Sequence, residues 1–193
     1  MAKFTGTPGR DTLVGTPSDD LFEGLAGDDT LDGREGSDAV DYSASPGAVT
    51  VNLRTGVASD GWGSTDTLTS IEQAVGSDFG DELIGSDVGN YLGGRGGADR
   101  ILGWAGDDVL SGGDGDDTLD GGDGHDILLP GEGRDVLIGG AGFDTVDFSD
   151  LSGGIAADLY SGTWEDAFDS IENLFGSAFG DSLRGDWRDN ILK

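Results

Sequence analysis

Cysteine is absent from this 193-residue chain. Disulfides and thiolate metal sites are therefore excluded. Proline occurs only four times, which rules out a collagen or a proline-rich linker. Positive charge is scarce: 10 Lys and Arg face 39 Asp and Glu, a formal net charge of −29. Such a chain repels phosphate, so nucleic acid is not an expected partner. An anionic membrane surface is disfavoured for the same reason. No apolar run approaches the roughly 18 residues of a membrane span. Residues 1–20 lack the apolar stretch of a cleavable signal peptide, and none is expected there.

Glycine is abundant, at 38 residues, and the acid is mostly Asp rather than Glu. Asp and Gly favour tight turns, whereas Glu would favour helices. The balance suits a polyvalent cation or, alternatively, a disordered acidic chain. Periodicity decides between them. Asp11, Asp20, Asp29 and Asp38 stand nine apart, each two residues before Leu13, Phe22, Leu31 and Val40. Gly6, Gly15, Gly24 and Gly33 lie five residues before them. Gly9, Gly27 and Gly36 lie two before, with Ser18 as the exception. The count resumes at Asp81, Asn90, Asp99, Asp108, Asp117, Asp126, Asp135 and Asp144, and closes with Asp181 and Asn190. Their apolar partners are Leu83, Leu92, Ile101, Leu110, Leu119, Leu128, Leu137, Val146, Leu183 and Leu192. Val109 competes with Leu110, but strict register selects Leu110. A disordered chain has no need of phase.

The best copies are GGDGDDTLD (112–120), GGDGHDILL (121–129) and GGAGFDTVD (139–147). They resemble the RTX (repeats-in-toxin, hemolysin-type) nonapeptide Gly-Gly-x-Gly-x-Asp-x-U-x, with U a large apolar residue. Each unit ends in x-U-x, a minimal strand with one side chain inward. The first six residues turn the chain, with Gly permitting positive φ and close approach to a metal. Two units make one 18-residue coil. The expected fold is all-β, a right-handed parallel β-roll or β-solenoid of roughly ten stacked coils spaced about 4.8 Å apart.

The resemblance implies calcium ions held between one loop and the loop two units on. Asp99 would pair with Asp117, Asp108 with Asp126, Asp117 with Asp135, and Asp126 with Asp144. In the first block Asp11 would pair with Asp29 and Asp20 with Asp38. Loop carbonyls complete the implied sets. In the first block these belong to Thr7, Gly9, Gly24 and Ala26. In the second they belong to Arg95, Gly97, Trp104, Gly106, Gly112, Gly113, Asp114, Gly115, Gly121, Gly122, Asp123, Gly124, Pro130, Glu132, Gly139 and Ala141. Asp81, Asn90 and Asp181 are weaker candidates. The resemblance implies several ions, roughly six to eight, and an all-oxygen set of about six hard ligands suits calcium better than magnesium or zinc. Phe79 and Phe179 replace Gly, and Val88 and Arg188 do so in the next units. Those loops are expected to continue the coil by packing.

Energetics favour a metal. Ordering nine residues costs roughly 9–18 kcal/mol. One buried Leu returns only about 1.5–3 kcal/mol. Facing carboxylates oppose stacking until cations reverse the sign, so metal binding becomes folding energy.

Two related segments interrupt the count. VDYSASPGAVTVNLRTG (40–56) parallels VDFSDLSGGIAADLYSG (146–162), and DTLTSIEQAVGSDFGDELIG (66–85) parallels DAFDSIENLFGSAFGDSLRG (166–185). The expected organisation is one continuous solenoid. A first RTX block spans 6–41, an insert 42–75, a second block 76–147, an insert 148–175, and a third, truncated block 176–193. The inserts read as wider, metal-poor coils, with strands at Val49, Val51 and Leu53 and at Ile155, Ala157 and Leu159. A separate small domain is the rival reading. Trp62 and Trp164 are expected to pack a loop rather than stack on a sugar.

No enzyme is expected. His125, the single histidine, sits at the free fifth position of a turn. Pairs such as Asp107–Asp108 recur too regularly to be catalytic carboxylates and read as ligand plus exposed neighbour. Ile84, Leu102, Val109, Ile127, Leu129, Val136 and Ile138 should face outward, forming an apolar strip for a protein partner or self-association. The alternative is that they are ordinary exposed aliphatics. The resemblance implies one-step (type I) bacterial secretion and folding outside the cell. Three roles stand open: a structural or spacer module of a secreted or surface protein, an accessory module of an exported epimerase, lipase or protease, or a glycan-binding adhesin. The chain is expected to be a fragment of a longer protein.

Overall fold

The structure, a computed structural model, describes residues 1–161 and 166–193. Among them there is no helix, only strands of two to seven residues. Ten strands form one sheet and ten the other, with a further pair beside them.

Successive nonapeptides alternate between the two sheets. Leu92 pairs with Leu110 and Leu110 with Leu128 in one, while Ile101 pairs with Leu119 and Leu119 with Leu137 in the other, all in parallel. Every step is 18 residues, so the predicted coil is the observed coil. The cause is the x-U-x triplet. In an extended chain alternate side chains point to opposite faces, so the eighth residue of each unit faces the space between the sheets while the seventh and ninth face outward. Leu83, Leu92, Ile101, Leu110, Leu119, Leu128, Leu137 and Val146 form that file, each wholly buried. Val109 lies outside and half-buried, as the strict register requires.

The inserts enter the same sheets by a different route. Thr65–Thr69 pairs in parallel with Thr30–Asp32, and Gln73–Val75 with both Ala39–Asp41 and Tyr91–Gly96. Between them, Thr50–Asn52, Val57–Ser59 and Thr65–Thr69 form an antiparallel meander inside an otherwise parallel sheet. The nine-residue count gives no sign of this reversal. Val51 and Ala58 are wholly buried there, and Leu68 nearly so. Tyr42 and Val49 are buried beside them. The second insert repeats the outer pairings: Ala167–Asp169 joins Val136–Gly142, and Ala156–Asp158 joins Ser182–Arg184.

Stacking at one coil per 18 residues brings loop backbones into contact. Gly115 has φ 140°, and a Cβ there would run into the Gly97 carbonyl one coil away. Gly115→Ala should lower the stability of the folded chain by about 1–3 kcal/mol. Gly153→Ala meets no atom within 4 Å and should change it by less than about 0.5 kcal/mol. Urea midpoints in calcium buffer would compare the two.

Candidate metal centre

The loop at each turn places its sixth residue, Asp, where the chain enters a strand. One carboxylate oxygen is used identically all along the stack. The Asp99 N–H donates to Asp117 Oδ1 at 2.8 Å, Asp108 to Asp126 at 2.9 Å, Asp117 to Asp135 at 2.8 Å and Asp126 to Asp144 at 2.9 Å. In the first block Asp11 donates to Asp29 at 2.7 Å and Asp20 to Asp38 at 2.8 Å. The six expected pairs are therefore brought together as hydrogen-bonded neighbours.

The second oxygen divides the loops into two classes. In the first class it is satisfied at home. Thr7 and Thr16 donate backbone N–H and hydroxyl to Asp11 and Asp20, and Ser77 N–H donates to Asp81. Ser86 N–H donates to the Asn90 amide oxygen in the same way. The Ser177 hydroxyl donates to the other oxygen of Asp181. In the second class Oδ2 is buried with no partner, at Asp29, Asp38, Asp99, Asp108, Asp117, Asp126, Asp135 and Asp144. Buried polar atoms are nearly always paired, so these eight, aligned in the nonapeptide loops, mark the place where a ligand fits; Asp60 Oδ2 in the first insert is likewise buried without a partner.

Loop conformation explains the division. In all eight open loops the second residue has positive φ: Leu25, Arg34, Arg95, Trp104, Gly113, Gly122, Gly131 and Gly140. This turns its N–H away from the loop's own Asp. Leu25, Arg34, Arg95 and Trp104 accept a left-handed conformation at roughly 1–2 kcal/mol each, strain of the kind stored at functional sites. Thr or Ser in that place lets its N–H reach the Asp instead. Asp11 and Asp20 thus differ from the other eight repeat aspartates in holding their second oxygen at home, and the signal is the Thr at the second position.

Carbonyls approach the orphaned oxygens. A Cβ built on Gly94 would meet Asp99 Oδ2 and, 2.8 Å away, the Gly112 carbonyl. The same convergence joins Asp108 with Gly121, Asp117 with Pro130 and Asp126 with Gly139. The Gly24 carbonyl approaches Asp11 in the same manner. Carbonyls of Arg95, Gly97, Trp104, Gly106, Gly113, Gly115, Gly122 and Gly124 face the backbone of the next coil. Those of Asp114, Asp123 and Glu132 accept from Gly97, Gly106 and Gly115 N–H, leaving each a second lone pair. Among the described residues no three His, Cys, Asp or Glu side chains cluster as a metal site. Backbone oxygen must therefore complete any set, which fits a hard cation such as calcium.

The electrostatics agree. Burial pushes the carboxyls of Asp99, Asp108 and Asp135 up to about 7 and that of Asp126 to about 6, against partial relief from backbone N–H donors. Asp20, held by the Thr16 N–H, is lowered instead.

Other expected residues fall elsewhere. His125 Nδ1 accepts the Phe143 N–H at 2.9 Å, an ordinary loop contact. The outward aliphatics do not form one strip. Val109, Ile127 and Leu129 lie on one sheet, and Ile84, Leu102, Val136 and Ile138 on the other, because successive units alternate. Trp62 is partly exposed, and its N–H binds Asp60 within its own loop. Trp164 lies outside the described residues.

Four further acids join the ladder from outside the nine-residue period. Asp29 N–H donates to Asp66, Asp135 to Asp166, Asp38 to Glu72 and Asp144 to Glu172, each at 3.0 Å. The carboxylate ladder thus continues into both inserts. The internal duplication, which sets these acids 100 residues apart in pairs, was the available signal.

No helix among the described residues is long and apolar enough to cross a membrane. No curated protein matches the chain. The family model for the RTX calcium-binding nonapeptide repeat matches residues 5–40, 75–110, 93–128 and 129–147, together more than half the chain. By repeat, coil and ladder alike, this calcium-binding repeat module belongs to the RTX calcium-binding nonapeptide repeat family.

Proposed function

We propose that calcium folds this module outside the cell, where it serves as a structural or spacer element of a secreted or surface bacterial protein. The observation that carries this reading is the row of eight buried carboxylate oxygens without a partner. Asp99 with Asp117, Asp108 with Asp126, Asp117 with Asp135 and Asp126 with Asp144 supply the carboxylates, and the neighbouring loop carbonyls supply the rest. Asp29 and Asp38 hold the corresponding places in the first block, with Asp11 and Asp20 as weaker partners.

Without a cation the stack is opposed by its own charge. Carboxylates one coil apart, about 5 Å, repel by about 3 kcal/mol per pair at an effective dielectric of 20. One apolar side chain per nonapeptide does not offset this together with chain entropy. Extracellular calcium is concentrated enough to fill weak oxygen sites, so the same chain stays unfolded before export and folds afterwards. The inserts act as wider coils of one continuous solenoid. No catalytic role is assigned.

The test is far-UV circular dichroism during a calcium titration, with magnesium as control. A coil-to-β transition near millimolar calcium, reversed by chelator and not produced by magnesium, is expected. A fully β chain in chelator would sink the proposal.

A further inference from the structure

Ser70 and Ser170 have φ of 52° and 54°. Among the described residues they are the non-glycine residues with positive φ that lie outside the nonapeptide loops, a conformation L residues avoid. The strain aims a carbonyl. A Cβ built on Gly33 would meet both the Ser70 carbonyl and Asp38 Oδ2, and one on Gly139 would meet the Ser170 carbonyl and Asp144 Oδ2. This is the convergence that Gly112 makes with Asp99 inside the repeats. Asp38 and Asp144 are wholly buried, and their Oδ2 atoms have no partner.

The second half of the arrangement is also reproduced. Glu72 Oε2 accepts the Asp38 N–H at 3.0 Å, and Glu172 Oε2 accepts that of Asp144 at 3.0 Å. Asp117 does this for Asp99 at 2.8 Å. In the repeats the carboxylate stands five positions after the incoming carbonyl. In the inserts it stands two positions after, as Ser-Ile-Glu in both copies. Glu has one more methylene than Asp, which lets the shorter segment reach.

We propose that each insert closes a calcium site: Asp38, the Ser70 carbonyl and Glu72 form the first, and Asp144, the Ser170 carbonyl and Glu172 form the second. The proposal rests on the calcium reading of the repeats and extends it to residues beyond the family match, which ends at 40 in the first block and 147 in the second. The ion at each site ties the last open loop of a block to the insert that follows. The two sites differ in one respect. Arg188 lies 2.9 Å from Glu172 Oε1, and the equivalent place in the first copy holds Val88. A guanidinium competes with a cation, so the second site fills last.

The experiment counts calcium ions bound to the full chain by equilibrium dialysis. Glu72→Gln keeps an acceptor for the Asp38 N–H and removes the charge. It should release one ion, and Glu72→Gln with Glu172→Gln should release two. Asp117→Asn reports on the repeats in the same assay. Unchanged stoichiometry in a folded Glu72→Gln chain, with ions lost from Asp117→Asn, overturns the insert sites alone. A wild-type chain that binds no calcium overturns the repeat reading as well. If Glu72→Gln does not fold, lanthanide-exchanged crystals of the wild-type chain decide. An anomalous peak among Asp38, Ser70 and Glu72 is expected, and peaks confined to the nonapeptide loops refute the proposal.

Discussion

Asp117→Asn combined with Asp126→Asn should raise the calcium concentration at half-folding by at least roughly tenfold, about 1.4 kcal/mol. Asparagine is nearly isosteric and keeps an oxygen for the N–H of the coil before, so the ladder bonds from Asp99 and Asp108 survive. What is lost is charge at the orphaned oxygen. Each of these residues stands between two neighbours on its own edge of the stack. Asp117 faces Asp99 and Asp135, and Asp126 faces Asp108 and Asp144. Two substitutions therefore weaken four carboxylate pairs at the centre of the second block. Asp11→Asn with Asp20→Asn makes the same chemical change at the other end of the chain. There the Thr7 and Thr16 N–H groups already hold the carboxylates at 2.6 and 2.5 Å, and the midpoint should move by less than about threefold, roughly 0.6 kcal/mol. Calcium titrations followed by circular dichroism compare the pairs. Equal shifts would mean that the orphaned oxygens carry no special share of binding.

The contrast between those two pairs shows what the sequence made legible. A nine-residue period with one apolar residue in phase leaves a single solution for the repeats, because the eighth side chain must turn inward and its two neighbours outward. The 18-residue register follows directly. The division of loops into open and closed was written in the second position, Thr, Ser or Asp against Gly, Leu, Arg or Trp, but its meaning depends on a backbone torsion. Non-glycine residues such as Trp104 at φ 84° are not anticipated by propensity. The inserts were legible as strands and as a duplication, since Val49, Val51 and Leu53 alternate in one copy as Ile155, Ala157 and Leu159 do in the other. The antiparallel meander of the first insert was not legible, because alternation fixes which face a residue occupies and says nothing of strand direction. Glu72 and Glu172 were hidden for a related reason. Their partners lie 34 and 28 residues away, outside any fixed period. The outward aliphatics misled because Ile127 and Val136 hold the same position in consecutive units, whereas the coil puts those units on opposite sheets.

Acid should act in opposite directions on the calcium-free and calcium-bound chain. In the calcium-free fold, burial raises Asp99, Asp108 and Asp135 to about 7 and Asp126 to about 6. An unfolded Asp titrates near 3.9. Between about pH 4 and pH 7 the folded state therefore binds more protons than the unfolded state, and its stability rises as pH falls. Above about 7 the buried carboxylates are charged and their full cost is felt. Below about 4 both states are protonated and the gain levels off. Asp66, pushed to about 6 by burial, adds to the trend from within the first insert. Calcium needs those same oxygens deprotonated, so protons compete with it. In calcium-free buffer, the β signal should accordingly grow from pH 8 to pH 5. Over the same interval calcium affinity, measured by isothermal titration, should fall, with protons released on binding. Calcium affinity that is flat across this interval would mean that the buried carboxylates are not the ligands. A calcium-free chain that loses β structure on acidification would mean that their burial is not what opposes folding.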